Sequence, residues 1–324
     1  MKAIVAREAG GPEVLELAQV DTPWVGPGQL LLDVTAAGVN RADLLQRQGH
    51  YPPPPGASPL LGLEVSGHVA AVGDGVEGWG VGDPCVALLA GGGYAERVVV
   101  PAGQVVPPPP GMGLVAAAGV IEVAATVLSN LDDAHLMAGE VLLVHGGAGG
   151  IGSFAIQYAS HLGATVVATA GSAEKLDYCR SVGADHAFSY RDDWPARVRE
   201  VAPHGVDVVL DSIGAAYLPQ HQSLLAIGGR VLVIGMQGGT LATLDLGALL
   251  AKRGLVTATS LRPRPPAEKA DICRRVVERV WPLFGDGTFQ PTPQTTFPLA
   301  EAGSAHAHLE SGDNLGKVVL VVAP

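Results

Sequence analysis

The stretch VLLVHGGAGGIG, residues 141–152, decides the fold of this chain. Its apolar first half is typical of a buried strand. The glycines that follow are spaced G-x-G-x-x-G, directly before an apolar helical pattern over Ile151–Leu162. Small residues let the backbone approach a pyrophosphate, and a helix start offers free N–H groups to it. A purely structural turn is the alternative. We predict a dinucleotide-binding loop made of Gly147, Ala148, Gly149, Gly150, Ile151 and Gly152.

The residues around this loop alternate between strand and helix patterns from position 141 to position 259. Helical patterns cover Ile151–Leu162 and Ala173–Val182. After the first strand, strand patterns recur at Thr165–Thr169, His186–Ser189, Val206–Asp211, Arg230–Ile234 and Leu255–Thr259. Such alternation is typical of βαβ units. It predicts a doubly wound parallel sheet within an α/β fold.

Residues 1–115 have a different rhythm, because short strand patterns are separated there by turn signals such as Gly26-Pro27-Gly28. The strand patterns are Lys2–Ala6, Val14–Val20, Gln29–Ala36, Gly67–Val72, Val86–Leu89 and Tyr94–Val100. They indicate an all-β, barrel-like domain. The tail predicts one helix over Glu268–Phe284, a strand near Gln294–Phe297, a helix over Ala300–Glu310 and a strand over Lys317–Val322. This tail either forms a third small unit or returns to the first domain.

Composition narrows the possible partners. The 324 residues are enough for two domains, and their net charge of −11 disfavours nucleic acid and anionic membranes. The three cysteines form no CxxC pair, and the N-terminus has no signal-peptide pattern. The longest apolar stretch, Gly113–Leu128, is interrupted by Glu122. We therefore expect a cytoplasmic protein with no membrane or nucleic-acid partner.

The choice of dinucleotide depends on the turn after the second strand of the parallel sheet. Sites for NAD usually have an acid about 20 residues past the glycines, and this chain has Ser172 there. Lys175 lies one helical turn further on, and Tyr190 follows the third strand. A cation and hydroxyls suit a 2′-phosphate, so these residues predict NADPH as the cofactor. A solvated helix lysine is the alternative for Lys175.

Several segments outside the glycine loop carry a family resemblance. They are AGVNRADL (37–44), QRQGHY (46–51), GLEVSGH (62–68) and NLGK (314–317). With these segments the sequence resembles medium-chain dehydrogenase/reductases, in particular the zinc-free, zeta-crystallin-type quinone oxidoreductases. It is most similar to their tumour-suppressor-inducible branch. The likeness runs along essentially the whole chain.

The resemblance implies how the chain is divided. It implies a GroES-like catalytic domain of residues 1–120 and 264–324, split by a Rossmann domain of residues 121–263. It also implies a homodimer, joined along the sixth strand of the Rossmann sheet, Leu255–Thr259, because an exposed sheet edge invites pairing.

The same resemblance implies an enzyme without a metal. Zinc-dependent relatives have a cysteine where this chain has Asn40 and a histidine where it has Leu63. Neither residue is a zinc ligand. Without a Lewis acid, simple ketones are poor substrates. A quinone is already strongly electrophilic, so the protein mainly has to position it against the nicotinamide.

Individual site residues also follow from the resemblance. It places Tyr51 and Asn40 at the substrate as catalytic residues, with Asn40 also against the nicotinamide; a surface tyrosine and a structural turn are the alternatives. The remaining cofactor-binding residues that it implies are Thr126, Gly235, Met236, Asn314 and Lys317. Arg262 and Arg264 either gate the site or are simply solvated, and we expect them to be solvated.

These observations favour an NADPH-dependent quinone oxidoreductase acting on a small-molecule quinone. The alternative is reduction of an activated C=C bond in an enone or enoyl thioester, which related zinc-free enzymes perform. The chain departs from its relatives at Ile121-Glu122, where they commonly have a Pro-Glu pair, and at Ala124, where close relatives have an aromatic residue. A non-catalytic binding protein and a zinc alcohol dehydrogenase are further alternatives.

Overall fold

A computed structural model describes residues 1–322. Its first part is mainly β-structure. The strands there are β1 (Lys2–Ala6), β2 (Leu15–Gln19), β3 (Gln29–Val39), β4 (Glu64–Val72), β5 (Pro84–Leu88), β6 (Arg97–Pro101) and β7 (Val105–Val106). The helices there are α1 (Arg41–Arg47), α2 (Leu114–Ala117) and α3 (Ile121–Asp133).

The middle of the chain alternates strand and helix. Its elements are β8 (Val141–His145), α4 (Gly150–His161), β9 (Thr165–Ala170), α5 (Ala173–Ser181), β10 (His186–Ser189), α6 (Trp194–Val201), β11 (Val206–Asp211), α7 (Leu218–Leu224), β12 (Leu225–Val233), α8 (Leu246–Lys252) and β13 (Leu255–Ala258). The six strands form one sheet in the order β10-β9-β8-β11-β12-β13, and every pair is parallel. This confirms the predicted doubly wound parallel sheet.

The tail contains α9 (Pro266–Arg279), α10 (Trp281–Gly285), β14 (Gln294–Pro298), α11 (Ala302–Ser311) and β15 (Lys317–Val321). The single predicted helix over Glu268–Phe284 is wrong. It is two helices, because Pro282 in the first turn of α10 has no N–H to continue the hydrogen bonds of α9.

The chain folds into two compact units. The first combines Met1–Ala125 with the residues from Leu261 onward, and the second is Thr126–Ser260. The tail therefore returns to the first unit instead of forming a third. Its strands extend a sheet of order β14-β15-β3-β4-β5-β7, in which β6 also pairs with β3. Both boundaries lie a few residues from the predicted ones.

Each unit has its own apolar core. In the first unit, Leu30 and Leu32 of β3 and Val318 and Leu320 of β15 belong to one cluster of buried apolar side chains. In the second, Leu143, Val209 and Val231 from three neighbouring parallel strands pack with Trp194 of α6. The apolar stretch Leu114–Asp133 has a mean hydropathy of 1.8 and is long enough to cross a membrane, but 78% of its most apolar window is buried in the protein. Such burial is typical of a core helix.

Candidate active site

The glycine loop connects β8 to α4 at the carboxyl end of the parallel sheet. Gly146 begins it with φ of +66°, a left-handed conformation that favours glycine. A Cβ atom on Gly152 would overlap the carbonyl oxygen of Gly146, so the first turn of α4 closes directly onto the loop. Gly149 caps the twelve-residue helix α4 without a side-chain hydrogen bond. The loop therefore presents bare backbone N–H groups and no side-chain bulk, which fits a pyrophosphate.

Three of the predicted cofactor residues meet at the next turn, between β9 and α5. Ser172 caps α5, and its Oγ accepts a hydrogen bond of 3.3 Å from the backbone N–H of Lys175. Tyr190 follows β10, and its N–H donates to the Ala170 carbonyl at 3.1 Å. Its hydroxyl covers Gly171 so closely that a Cβ there would overlap it. A serine, a lysine and a tyrosine thus surround one turn, a suitable arrangement for a 2′-phosphate.

The remaining predicted residues of the second unit lie in two places. Gly235 and Met236 follow β12, and Gly235 packs so tightly on Ser212 that a Cβ there would lie 2.8 Å from the Ser212 carbonyl oxygen. Met236 is 56% exposed. These residues share the carboxyl edge of the sheet with the glycine loop. Thr126 lies on α3 and is buried, and its carbonyl accepts a hydrogen bond of 2.8 Å from Asn130 Nδ2.

A buried histidine pair lies directly below the glycine loop, and sequence reasoning missed it. His145 is the last residue of β8. Its Nδ1 lies 2.8 Å from Thr169 Oγ1, and its Nε2 lies 2.8 Å from His221 Nε2. His221 Nδ1 lies 3.5 Å from Asp211 Oδ2. Burial lowers the pKa of His145 well below its ordinary range and that of His221 to about 4. A histidine placed between a strand and a glycine loop is a signal that sequence analysis could have used.

In the first unit, Asn40 and Lys317 are brought together although 277 positions separate them. Lys317 Nζ lies 2.7 Å from Asn40 Oδ1, 2.7 Å from Glu64 Oε1 and 3.3 Å from the Val39 carbonyl oxygen. Asn40 Nδ2 donates to Glu64 Oε1 at 2.9 Å, and Glu64 Oε2 accepts the backbone N–H of Glu122 at 3.0 Å. The side chains of Lys317, Asn40 and Glu64 are each at least nine-tenths buried. Asn314 lies nearby in sequence and bonds the Gly316 carbonyl through Nδ2 at 3.0 Å.

A second buried group holds the backbone of Asn40. Asp43 Oδ2 accepts the Asn40 N–H at 2.8 Å and the Tyr94 hydroxyl at 3.2 Å, and that hydroxyl lies 3.1 Å from His306 Nε2. Burial raises the pKa of Asp43 to about 6 although the N–H groups of Asn40 and Gly62 oppose this. Burial lowers the pKa of His306 to about 3. The spacing Asn40-x-x-Asp43 is a helix-start signal that could have revealed this group.

Tyr51 lies under an arginine that was expected to be solvated. That expectation is wrong for Arg262, which is 4% exposed and whose guanidinium lies 5.2 Å from the centre of the Tyr51 ring. Its N–H groups donate to the carbonyl oxygens of Ala90 at 2.8 Å and Tyr51 at 3.2 Å, and to Gln46 Oε1 at 2.7 Å. Arg262 thus ties the Tyr51 loop to α1 and to the glycine-rich segment after β5.

Comparison with known proteins relates these two units to enzymes. A model of the alcohol dehydrogenase GroES-like domain matches residues 26–110, and a model named zinc-binding dehydrogenase matches residues 150–276. The first match confirms the predicted GroES-like character of the first unit. The described residues do not fit a zinc ion: positions 1–322 contain no group of three or more His, Cys, Asp or Glu side chains that could hold a metal. The amide oxygen of Asn40 faces an ammonium group instead.

Individual relatives cover nearly the whole chain. The mycocerosic acid synthase-like polyketide synthase of Mycobacterium tuberculosis is 34% identical over 98% of this chain, which spans 15% of that protein. The synaptic vesicle membrane protein VAT-1 homolog of Rattus norvegicus is 30% identical, with 100% of this chain matching 85% of that protein. The Escherichia coli quinone oxidoreductase complexed with NADPH is 28% identical, with a TM-score of 0.90 over 99% of this chain and 100% of that one. This chain therefore belongs to the medium-chain dehydrogenase/reductase superfamily, among its quinone-oxidoreductase-like and VAT-1-like members.

Proposed function

We propose that the chain is an NADPH-dependent quinone oxidoreductase that works without zinc. The observation that carries this proposal is the environment of Asn40, which by resemblance occupies the position of a zinc ligand. Its amide is bound by Lys317 and Glu64, so the site offers a hydrogen-bond donor where zinc-dependent relatives offer a metal ligand. A substrate that is itself strongly electrophilic, such as a quinone, needs no stronger activation than this.

The second unit would hold the cofactor. The glycine loop would take the pyrophosphate, and Ser172, Lys175 and Tyr190 would take the 2′-phosphate that distinguishes NADPH from NADH. When bound, the reduced nicotinamide supplies a hydride to the substrate. In the first unit, Tyr51 would present its ring or its hydroxyl to a flat substrate, and Arg262 limits the motion of that ring by covering it.

Reduction of an activated C=C bond is the second candidate function. It is favoured by the 34% identity to a protein named as a polyketide synthase, which points toward acyl substrates. Ala124 is consistent with this second function, because close quinone-reducing relatives have an aromatic side chain at this buried position and alanine does not fill the same space. The two functions differ in their need for a proton. An enolate must be protonated on carbon, whereas a reduced quinone has phenolate-like oxygens that take protons from water.

The experiment that tests the proposal follows the absorbance of NADPH at 340 nm with 1,2-quinones, 1,4-quinones, enones and enoyl thioesters, and with NADH in parallel. Quinone-dependent oxidation of NADPH is the expected result. Turnover of enones alone would replace the proposal with the second candidate. Failure to bind NADPH would contradict both.

Tyr51→Phe separates the two chemistries in the same assay. If Tyr51 is a proton donor, its loss should lower turnover of enones by about 100-fold or more, the usual contribution of a general acid. Turnover of quinones should fall only a few-fold, because stacking on the ring is retained. NADPH affinity, measured by nicotinamide fluorescence, serves as the control and should not change. Equal losses with both substrates would contradict this distinction.

A further inference from the structure

Lys317 is an ammonium group buried inside the first unit, next to a residue that we place at the substrate. It is the first residue of β15, which pairs with β3 through Val318 and Val39. This register brings its side chain to the end of β3, where Asn40 follows. Only 4% of Lys317 is exposed. The proposed function uses the environment of Asn40 but assigns this buried cation no role of its own in the reaction.

The ammonium determines which way the Asn40 amide faces. Lys317 Nζ can only donate, so the atom of Asn40 that lies 2.7 Å away must be the oxygen. The carboxylate of Glu64 can only accept, so the atom 2.9 Å from it must be Nδ2. Rotating the amide by half a turn would set donor against donor and acceptor against acceptor. Lys317 and Glu64 thus hold the amide in one orientation.

In this orientation, one of the two N–H donors of the Asn40 amide has no partner among the described residues. Asn40 Nδ2 carries two hydrogens, and one is used by Glu64. Within residues 1–322 the second makes no hydrogen bond, and Asn40 retains 7% exposure. The bond that Lys317 makes to Oδ1 draws electron density away from Nδ2, because hydrogen bonds in a buried chain polarise one another. The remaining N–H is therefore a fixed and strengthened donor.

We infer that Lys317 is a positioning residue, which holds this N–H of Asn40 as the hydrogen-bond donor to the substrate's carbonyl oxygen. The inference rests on the proposed function, since both a quinone and an enone have such an oxygen. That oxygen gains negative charge as the ring or the C=C bond is reduced. A donor that is already oriented stabilises the charge at no cost of rearrangement. Lys317 contributes through Asn40, and this positioning role replaces the cofactor contact that the resemblance implied for Lys317.

The test must separate this role from the simple loss of a buried charge partner. Lys317→Met leaves the buried carboxyl group of Glu64 without its charge partner, so that variant is destabilised in either case. The combination Lys317→Met with Glu64→Gln removes both charges and keeps an acceptor for Asn40 Nδ2. We expect this double variant to unfold at a higher temperature than Lys317→Met alone and to bind NADPH with unchanged Kd. Its kcat should still fall by about 10- to 100-fold, approaching the loss typical of a missing oxyanion donor.

Asn40→Ala provides the second arm of the experiment. It should lower kcat by about 100-fold, and adding the double substitution to it should lower kcat no further, because both act on the same N–H. A double variant with wild-type kcat, a loss confined to the Kd of NADPH, or a further loss in the Asn40→Ala background would each overturn the inference. A wild-type protein that reduces neither quinones nor enones would overturn the proposed function, and that result is seen before any variant is compared.

Discussion

His221 lies in the core of the second unit, fully buried between the imidazole of His145 and the carboxylate of Asp211. Burial lowers its pKa from about 6.5 to about 4, so the folded protein prefers the neutral ring. A group whose pKa is lower in the folded state than in the unfolded state contributes its full stabilisation at pH values above the unfolded-state pKa. That stabilisation is lost as the pH falls toward the folded pKa. The amount is roughly 3 kcal/mol for a shift of this size.

His221→Asn should therefore weaken the dependence of stability on pH between about 6.5 and 4. Asparagine keeps a polar side chain beside His145 but takes up no proton in this range. The measurement is the urea unfolding midpoint at several pH values, which should decline less steeply than in the wild type. His68→Asn, at an exposed position of β4, is the matched control and should keep the wild-type slope. Identical slopes for the His221 variant and the wild type would contradict the expectation.

Lys175 carries the second prediction at this scale, because its ammonium is the cation at the turn assigned to the 2′-phosphate. Lys175→Ala should lower the preference for NADPH over NADH by about 10- to 100-fold, since a hydrogen bond to a charged group contributes about 1.5–3 kcal/mol. The KM for each dinucleotide measures this preference. Arg197→Ala removes an exposed cation from α6 of the same unit and should leave the preference unchanged. An equal loss of NADPH preference in both variants would contradict a specific role for Lys175 and show that the preference depends only on net charge.

Among the secondary-structure elements, the connection from β8 to α4 depends most on the absence of side chains. Gly152→Ala places a Cβ against the carbonyl oxygen of Gly146 and should destabilise the protein by about 1–3 kcal/mol, the usual cost of overpacking. It should also abolish binding of NADPH, because the loop must shift. Thermal unfolding and a fluorescence titration with NADPH measure the two effects.

Gly149→Ala is the matched control for this element. A Cβ there would lie 3.5 Å from the same carbonyl oxygen, an ordinary contact, and the backbone φ of −83° suits alanine. The variant should unfold at the wild-type temperature. If Gly152→Ala unfolds at that temperature as well, the tight closure of the helix onto the loop is not needed for stability.

The whole molecule has an unpaired sheet edge at β13, and we propose that a second copy of the chain covers it. β13 pairs only with β12 among the described strands, and Leu255 on it is 53% exposed. Two further leucines of the same unit, Leu246 and Leu250 on α8, are also exposed. An open edge strand with an exposed apolar side chain, in a unit that exposes further leucines, favours pairing between copies.

Leu255→Glu should convert this proposed homodimer to a monomer at micromolar concentration, because burying the new carboxylate would be costly. Light scattering or sedimentation equilibrium measures the mass. Val81→Glu, at an exposed apolar position of the first unit, is the control and should remain dimeric. A wild-type protein that is monomeric at the same concentration would remove the proposal.

The sequence alone determined the features that depend on neighbouring residues. The glycine spacing at 147–152 and the strand before it specify the dinucleotide loop, because turn geometry and apolar periodicity act over a few positions. For the same reason the strands of the parallel sheet were predicted with their order along the chain. The break at Pro282 was missed, since the apolar pattern continues through it.

Only the tertiary structure decided which distant side chains meet. Lys317, Asn40 and Glu64 come together because β15 pairs with β3 and β3 with β4, and no local pattern encodes that pairing. Arg262 was expected to be in solvent because arginine usually is, yet the fold buries it on Tyr51. The fold likewise buries His145 and His221 against each other. A buried polar group is stable only with partners, and partners far apart in sequence are supplied by the fold.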